Sequence, residues 1–323
     1  MAAAPQATKA WNLGLIVLLG GLWGMPYALN KVALASIPLL TLVAARVVIA
    51  AAALWIVVGL CRCQRPAWRS VMPVMAVQGC LACLIPYALI AIGQQTVDSA
   101  LTAILNSTAP LFVCLIGGAW PGREPWTAER WLGTAIGLSG VVLIAGLGAL
   151  AGLGRSLAGQ GAIIVATAAS AVGVLYGRRL DHVAPEIAAA GTLSAAALLL
   201  VPLCLWLEAP LHTTPSSAAL VALAANALAA TALGFVVYFR LMRTIGSLRT
   251  ASVGYLKPVV GVLIGYTVFA EPLTFDMAFG LVTILIGLLV IHQSDRRRIA
   301  LGFWALPRRL ATWASRPSAT SPS

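Results

Sequence analysis

The chain has 323 residues, of which 60% are hydrophobic and only 9% are charged, and its mean hydropathy is +0.94. Because soluble domains carry about 25% charged residues, this composition excludes a soluble protein and predicts an all-α integral membrane protein. The net charge of +12 would suit nucleic acid, but no nucleic-acid-binding motif accompanies it, and we expect no nucleic-acid partner.

Ten apolar segments follow one another, each close to the roughly 20 residues that a membrane-spanning helix needs. The stretch 1–11 before them is predicted to be a cytoplasmic N-terminus. The stretch 294–323 after them is predicted to be a basic cytoplasmic tail, partly disordered because its end is rich in Ser, Pro and Thr. The predicted spans are 12–31, 39–60, 71–92, 98–119, 129–149, 160–180, 186–208, 216–239, 249–270 and 274–293.

The second half of the chain repeats the first. Four residues recur 147 positions later, as Glu124/Glu271, Pro125/Pro272, Gly133/Gly280 and Gly140/Gly287. Such self-similarity predicts two copies of one structural unit. We therefore predict a five-helix repeat over 12–149, a linker over 150–159 and a second five-helix repeat over 160–293.

Basic residues predict the orientation of the spans. Seventeen of the 21 lysines and arginines lie in gaps on the side of the N-terminus, whereas only Lys31 and Arg155 lie in the opposite gaps. Both termini should therefore face the cytoplasm. Because five spans are an odd number, the second repeat would enter the membrane from the other side, which makes the repeats inverted. The tail stretch 299–313 mixes aromatic residues with arginines and suits a short helix on anionic lipid.

The strongest candidate functional residue is Lys257, which lies beside Pro258 near the middle of the ninth predicted span. Proline has no N–H, so the carbonyl of Gly254 loses its helical partner and the helix is expected to break there. Charged residues within spans usually serve a function. The alternative is an ammonium that is held by backbone carbonyls or that extends along its own stem towards the interface.

Other polar and aromatic side chains could line the same site. Pro110 should break the fourth span as Pro258 breaks the ninth, and it frees the carbonyl of Asn106, whose amide could bind a ligand or merely another helix. Arg46 is as consistent with a structural role as with a functional one. The remaining candidates for a substrate-binding cavity are Trp23, Gln78, Tyr87, Asn226 and Tyr255, each of which could equally be a packing residue.

Several kinds of chemistry lack the residues they require. Inverted repeats with broken helices are the arrangement in which transporters place a solute site. The nine carboxylates all lie at or near segment ends, so we expect no midplane proton relay. We therefore expect transport by facilitated exchange or uniport, or coupled through another group. Cys80 and Cys83 form a CxxC inside an apolar segment without a second ligand pair, which favours an inert packed pair over a metal site. With no phosphate loop or nucleophile motif either, we expect no metal, no cofactor and no enzymatic activity.

The paired motifs NSTAPLF (106–112) with REPWT (123–127) and YLKP (255–258) with AEPLT (270–274) resemble the EamA-like branch of the drug/metabolite transporter superfamily. The resemblance covers about 12–293. It implies ten spans in two inverted five-helix repeats, a central cavity, and export of small amphipathic metabolites, often amino acids, across a bacterial inner membrane. It also implies structural roles at helix ends for Glu124 and Glu271. The alternative is a channel or a structural membrane subunit without carrier activity.

Overall fold

The computed structural model describes residues 6–291, with gaps at 62, 64–65, 94–95, 98–101, 103–104, 119–126, 146–152, 154–155, 209–213, 270–274 and 277. Every regular element in these residues is a helix, as the composition predicts. Glu124, Glu271 and the basic tail with its proposed lipid-binding helix lie outside the described residues.

Helices of the first half follow the predicted apolar segments. The second, Leu39–Leu60, has the bounds that the sequence predicts. The first begins at Gln6 rather than at residue 12, because a helix can continue beyond its apolar stretch. The helices are α1 (Gln6–Gly24), α2 (Pro26–Ala33), α3 (Leu39–Leu60), α4 (Trp68–Gly79), α5 (Ile85–Gly93), α6 (Ala109–Gly117) and α7 (Ala128–Ala145). A π-helical turn, Cys80–Leu84, joins α4 to α5.

Helices of the second half repeat this order. They are α8 (Leu157–Tyr176), α9 (Pro185–Leu207), α10 (Ser217–Ala225), α11 (Gly234–Ile245), α12 (Ser247–Ala251), α13 (Leu256–Phe269) and α14 (Ala278–Ile291). A π-helical segment, Asn226–Leu233, joins α10 to α11. The eighth predicted span ends six residues later than expected, since α11 continues to Ile245 and stops at Gly246, whose φ of 83° suits glycine.

Five helical stretches within the described residues are long and apolar enough to cross a membrane, and the protein is therefore a multi-pass membrane protein. They are Leu39–Leu60, Trp68–Ile90, Leu157–Leu180, Pro185–Leu207 and Ser217–Ile245. Two shorter apolar helices, Ala10–Gly24 and Ala278–Ile291, lie near the ends. The other predicted spans contain interrupted helices or adjoin gaps in the description.

Both predicted helix breaks are confirmed. Pro110 lies in the first turn of α6, which follows a turn at Ser107 and Thr108. Before Pro258, the backbone over Ser252–Tyr255 tightens into a 3-10 helix between α12 and α13. Proline explains both breaks, because it removes a backbone donor and clashes with the preceding turn.

Helices of the two halves pack in equivalent pairs. α3 packs along α9, its counterpart in the second half. Two further pairs of contacts correspond to one another: α1–α13 matches α8–α6, and α1–α11 matches α8–α5. These helix pairs are therefore preserved when the halves are exchanged, and the core that they bury is shared by both halves.

The contact between α7 and α14 is made by glycines. A Cβ on Gly133 would lie 2.9 Å from the carbonyl oxygen of Gly287, and one on Gly140 would lie 2.8 Å from that of Gly280. Gly133 corresponds to Gly280, and Gly140 to Gly287, so exchanging the halves exchanges the two contacts. Because residue numbers rise along one helix as they fall along the other, the helices run antiparallel.

Candidate functional site

Lys257 lies at the contact between α13 of the second half and α1 of the first. Its Nζ is 5.0 Å from the centroid of the Trp23 ring, which is cation–π geometry. The helices approach closely because Gly20 and Gly24 present no side chain. A Cβ on Gly20 would lie 2.6 Å from Cβ of Leu256. Lys257 therefore points into the helix bundle, as its sequence context predicts.

An aromatic cluster extends from Trp23 along α11. The ring of Trp23 is 5.5 Å from that of Tyr238 and 6.3 Å from that of Phe235, between centroids. Phe239 stacks edge-on against Tyr238 at 5.1 Å. Gly234 makes room for the cluster, since a Cβ there would lie 2.8 Å from Nε1 of Trp23. These rings form an apolar wall beside the ammonium of Lys257.

Gln78 lies at the far side of Tyr238. Its side chain is fully buried, and its amide lies beside the Tyr238 hydroxyl. Among the described residues, however, neither the amide nitrogen nor the amide oxygen of Gln78 has a hydrogen-bond partner of good geometry. A buried amide without such partners costs about 1–3 kcal/mol, so Gln78 retains unused hydrogen-bonding capacity inside the helix bundle.

Tyr87 stacks on Arg46, the second cation of the helix bundle. The guanidinium carbon of Arg46 is 4.8 Å from the centroid of the Tyr87 ring. Arg46 is only 7% exposed, so its side chain is packed against the surrounding helices. Its Nε has no hydrogen-bond partner within the described part of the chain.

Three of the predicted site residues have partners elsewhere. Asn226 donates from Nδ2 to Oδ1 of Asn30 at 2.7 Å. Tyr255 donates its hydroxyl proton to the carbonyl oxygen of Thr134 at 3.1 Å, on the opposite side of its helix from Lys257. Asn106 accepts a long hydrogen bond of 3.5 Å from Oγ1 of Thr167. The structure thus brings together Lys257, Trp23 and Gln78 around Tyr238. It places Asn226, Tyr255 and Asn106 apart from this group.

Two residues of the arrangement carry more weight than the sequence suggested. Phe235 was not among the candidates, although its spacing of three residues from Tyr238 places both on one helix face. The sequence is consistent with either a structural or a functional role for Arg46, but its position within an apolar span is the same signal that favours a function for Lys257.

Comparison with known proteins identifies the relatives of this chain. The model of the EamA-like transporter family matches residues 10–146 and again 157–293. The chain is 25% identical to the uncharacterized transporter YvbV of Bacillus subtilis (strain 168), over 93% of this chain and 96% of that protein. It is 26% identical to the uncharacterized inner membrane transporter YedA of Escherichia coli (strain K12), over 81% and 84%.

A solved structure shares the fold. A protein crystal structure superposes with a TM-score of 0.71 at 22% identity, covering 86% of this chain and 96% of that one. At this identity the likeness concerns the fold alone. The duplicated match of the family model agrees with the repeat that the sequence predicts and with the paired helix contacts.

Proposed function

Since the chain belongs to the EamA-like transporter family, we propose that it is a secondary transporter that exports small amphipathic metabolites, such as amino acids and related compounds. The observation that carries this proposal is the position of Lys257. It is a cation inside the helix bundle, at a contact between the two halves, and it faces an aromatic wall. Among the described residues no carboxylate forms an ion pair with it.

Each group at this contact has a role that suits an amphipathic solute. The ammonium of Lys257 would attract an acidic group, and the rings of Trp23 and Phe235 would pack on the apolar part. The amide of Gln78 and the hydroxyl of Tyr238 would orient a polar group. Asn106 would act beyond this cluster, at the helix break before Pro110. A few polar groups among apolar walls are the usual character of small-molecule sites.

We further propose ten spans in two inverted five-helix repeats, with the solute cavity between them. The antiparallel α7–α14 contact and the exchangeable helix pairs support this arrangement. In transporters of this kind, broken helices lie at the site and one repeat moves against the other. The cytoplasmic bias of the basic residues supports cytoplasmic termini, and the similarity to YedA, an inner membrane transporter, supports an inner-membrane location.

Counterflow tests this proposal and would also identify the solute. Proteoliposomes containing the purified protein are loaded with unlabelled candidate metabolites and exposed to trace labelled ones. A carrier accumulates label transiently and saturates with solute. A channel or a structural subunit would show a linear flux or none, and either result would refute the proposal. Repeating the uptake with an imposed pH gradient tests the expected exchange or uniport, which predicts no accumulation that follows the gradient.

A further inference from the structure

The two repeats treat one buried amide differently. Gln78 lies two residues before one π-helical segment and Asn226 begins the other. The two residues lie 148 positions apart, close to the repeat distance of 147, so they correspond to one another. Asn226 donates from Nδ2 to the Asn30 side chain, whereas its own Oδ1 has no hydrogen-bond partner within the described residues. Residue 177, the counterpart of Asn30 at the repeat distance of 147, is a glycine. A Cβ on Gly177 would lie 3.1 Å from Nε2 of Gln78. The first repeat therefore lacks a counterpart of the Asn30 side chain, and the polar group beside this amide is the Tyr238 hydroxyl.

The π-helical turn aligns Gln78 with the residues that face Arg46. In a π-helix a residue lies over the one five positions earlier, and in an α-helix over the one four positions earlier. Cys83 follows Gln78 by five residues and Tyr87 follows Cys83 by four, so the three share one face. Tyr87 in turn stacks on Arg46, whose guanidinium carbon is 4.8 Å from the ring centroid. Gln78 and Arg46 thus belong to one continuous polar surface.

Arg46 and Lys257 leave this surface with an excess of positive charge. Neither residue forms an ion pair with a carboxylate in the described part of the chain. An unpaired charge away from water is strongly unfavourable, and the usual compensation is a partner of opposite charge. Trp23 contacts both Lys257 and Tyr238, and the Gln78 amide lies beside the Tyr238 hydroxyl. Gln78 in turn shares a helix face with Tyr87, which stacks on Arg46. A solute lying along Tyr238 could therefore reach both.

We propose that Arg46 and Gln78 form a second polar subsite that binds an acidic group, so that the transported solute carries two acidic groups, one for this subsite and one for Lys257. This inference rests on the proposed transport function. The guanidinium supplies charge and a planar pair of donors for a carboxylate. The amide of Gln78 supplies a further donor that has no partner of good geometry within the described residues.

The test uses straight-chain dicarboxylates from succinate to pimelate, each beside the monocarboxylate with the same number of carbons. The melting temperature of the purified full-length protein in detergent is followed against ligand concentration, at constant ionic strength and without chloride. We expect at least one dicarboxylate to bind about tenfold or more tightly than its matched monocarboxylate, since a second buried charge-assisted contact supplies that much. Arg46→Gln should abolish this preference.

Two further variants guard against misinterpretation. Gly177→Asn leaves Arg46 in place and gives Gln78 the partner that Asn226 has, so it should weaken dicarboxylate binding while the unliganded melting temperature stays equal or rises. Arg179→Gln is the matched control, because the exposed Arg179 stacks on Tyr176 at the same 4.8 Å as Arg46 on Tyr87. This control should bind every acid as the wild type does.

The outcomes separate this inference from the proposed function. If no dicarboxylate binds better than its matched monocarboxylate, or if the preference survives in Arg46→Gln or in Gly177→Asn, the second subsite is refuted. The transport function would still stand if counterflow remained saturable. If counterflow failed, the transport function would fall, whatever acids the purified protein bound.

Discussion

Replacing Lys257 with methionine removes the charge at the centre of the proposed site and keeps most of the side-chain length. The contact with Trp23, at 5.0 Å, is worth about 2 kcal/mol if it is desolvated. Keeping a lysine at mid-membrane costs about 2.5–3.5 kcal/mol on insertion scales. The two terms nearly cancel, so Lys257→Met should be as stable as the wild type or more stable by roughly 1 kcal/mol.

Solute affinity should respond in the opposite sense to stability. Each 1.4 kcal/mol of lost attraction raises the dissociation constant about tenfold, and we expect a loss of about one to two decades. The assay pairs melting temperature in detergent with the dissociation constant of the solute that counterflow identifies. Arg240→Met is the matched control, because the exposed Arg240 faces Trp11 at 5.8 Å and should affect neither quantity.

The result that would refute this reasoning is a stable Lys257→Met protein whose affinity is unchanged. A destabilised protein that binds normally would assign Lys257 a structural role, as a donor to backbone carbonyls. Lys257→Arg discriminates further, because a planar guanidinium replaces a compact ammonium. It should bind the solute more weakly than the wild type but more tightly than the methionine variant.

Three further predictions concern the fold. Glu208 accepts hydrogen bonds from the first residues of α3, at 2.7 Å from the Thr41 amide. Glu208→Ala should therefore cost about 1–2 kcal/mol of stability, whereas the control Glu186→Ala, at the other end of α9, should cost less. Equal losses of stability in the two variants would refute the capping role. Gly287→Ala would place a Cβ 2.5 Å from a backbone nitrogen of α7 and should lower the melting temperature. In the control Gly59→Ala the new Cβ meets nothing within 4 Å, so the melting temperature should not fall. Equal effects of the two substitutions would contradict the close approach of α7 and α14. Burial raises the pKa of Asp181 above its usual value, against nearby positive charges that lower it, so the folded state favours its protonated form. Relative to Asp181→Asn, the wild type should therefore become more stable as pH falls through that raised pKa, and a pH-independent difference between their melting temperatures would refute this.

Local chemistry explains which parts of the fold were predictable. The breaks before Pro110 and Pro258 follow from a missing N–H, and a sequence displays such residues directly. The recurrence of Gly133 as Gly280, at the repeat distance, is a sequence pattern that indicates the glycine contact of α7 with α14. These features depend on residue type and spacing alone.

Which of the predicted residues come together at the site could not be predicted from their spacing in the sequence. Tyr255 and Lys257 are two residues apart, and the helical rotation of about 200° between them sends Tyr255 to Thr134 and Lys257 to Trp23. Asn226 donates a hydrogen bond to Asn30, which lies 196 residues away in the sequence. The π-helical turn in CLACL (80–84) changes the register of α5, but the residue types in this stretch do not predict a π-helical turn.

The central claim is that the solute binds where Lys257 of one half meets Trp23 of the other, and a structure with bound solute tests it most directly. The purified protein would be imaged by electron cryomicroscopy with the solute that counterflow identifies. We predict density for an acidic group within hydrogen-bonding distance of Lys257 Nζ, with the apolar part against Trp23 and Tyr238. Density at another place in the helix bundle, with Lys257 and Trp23 still in contact as in the unliganded protein, would contradict the claim.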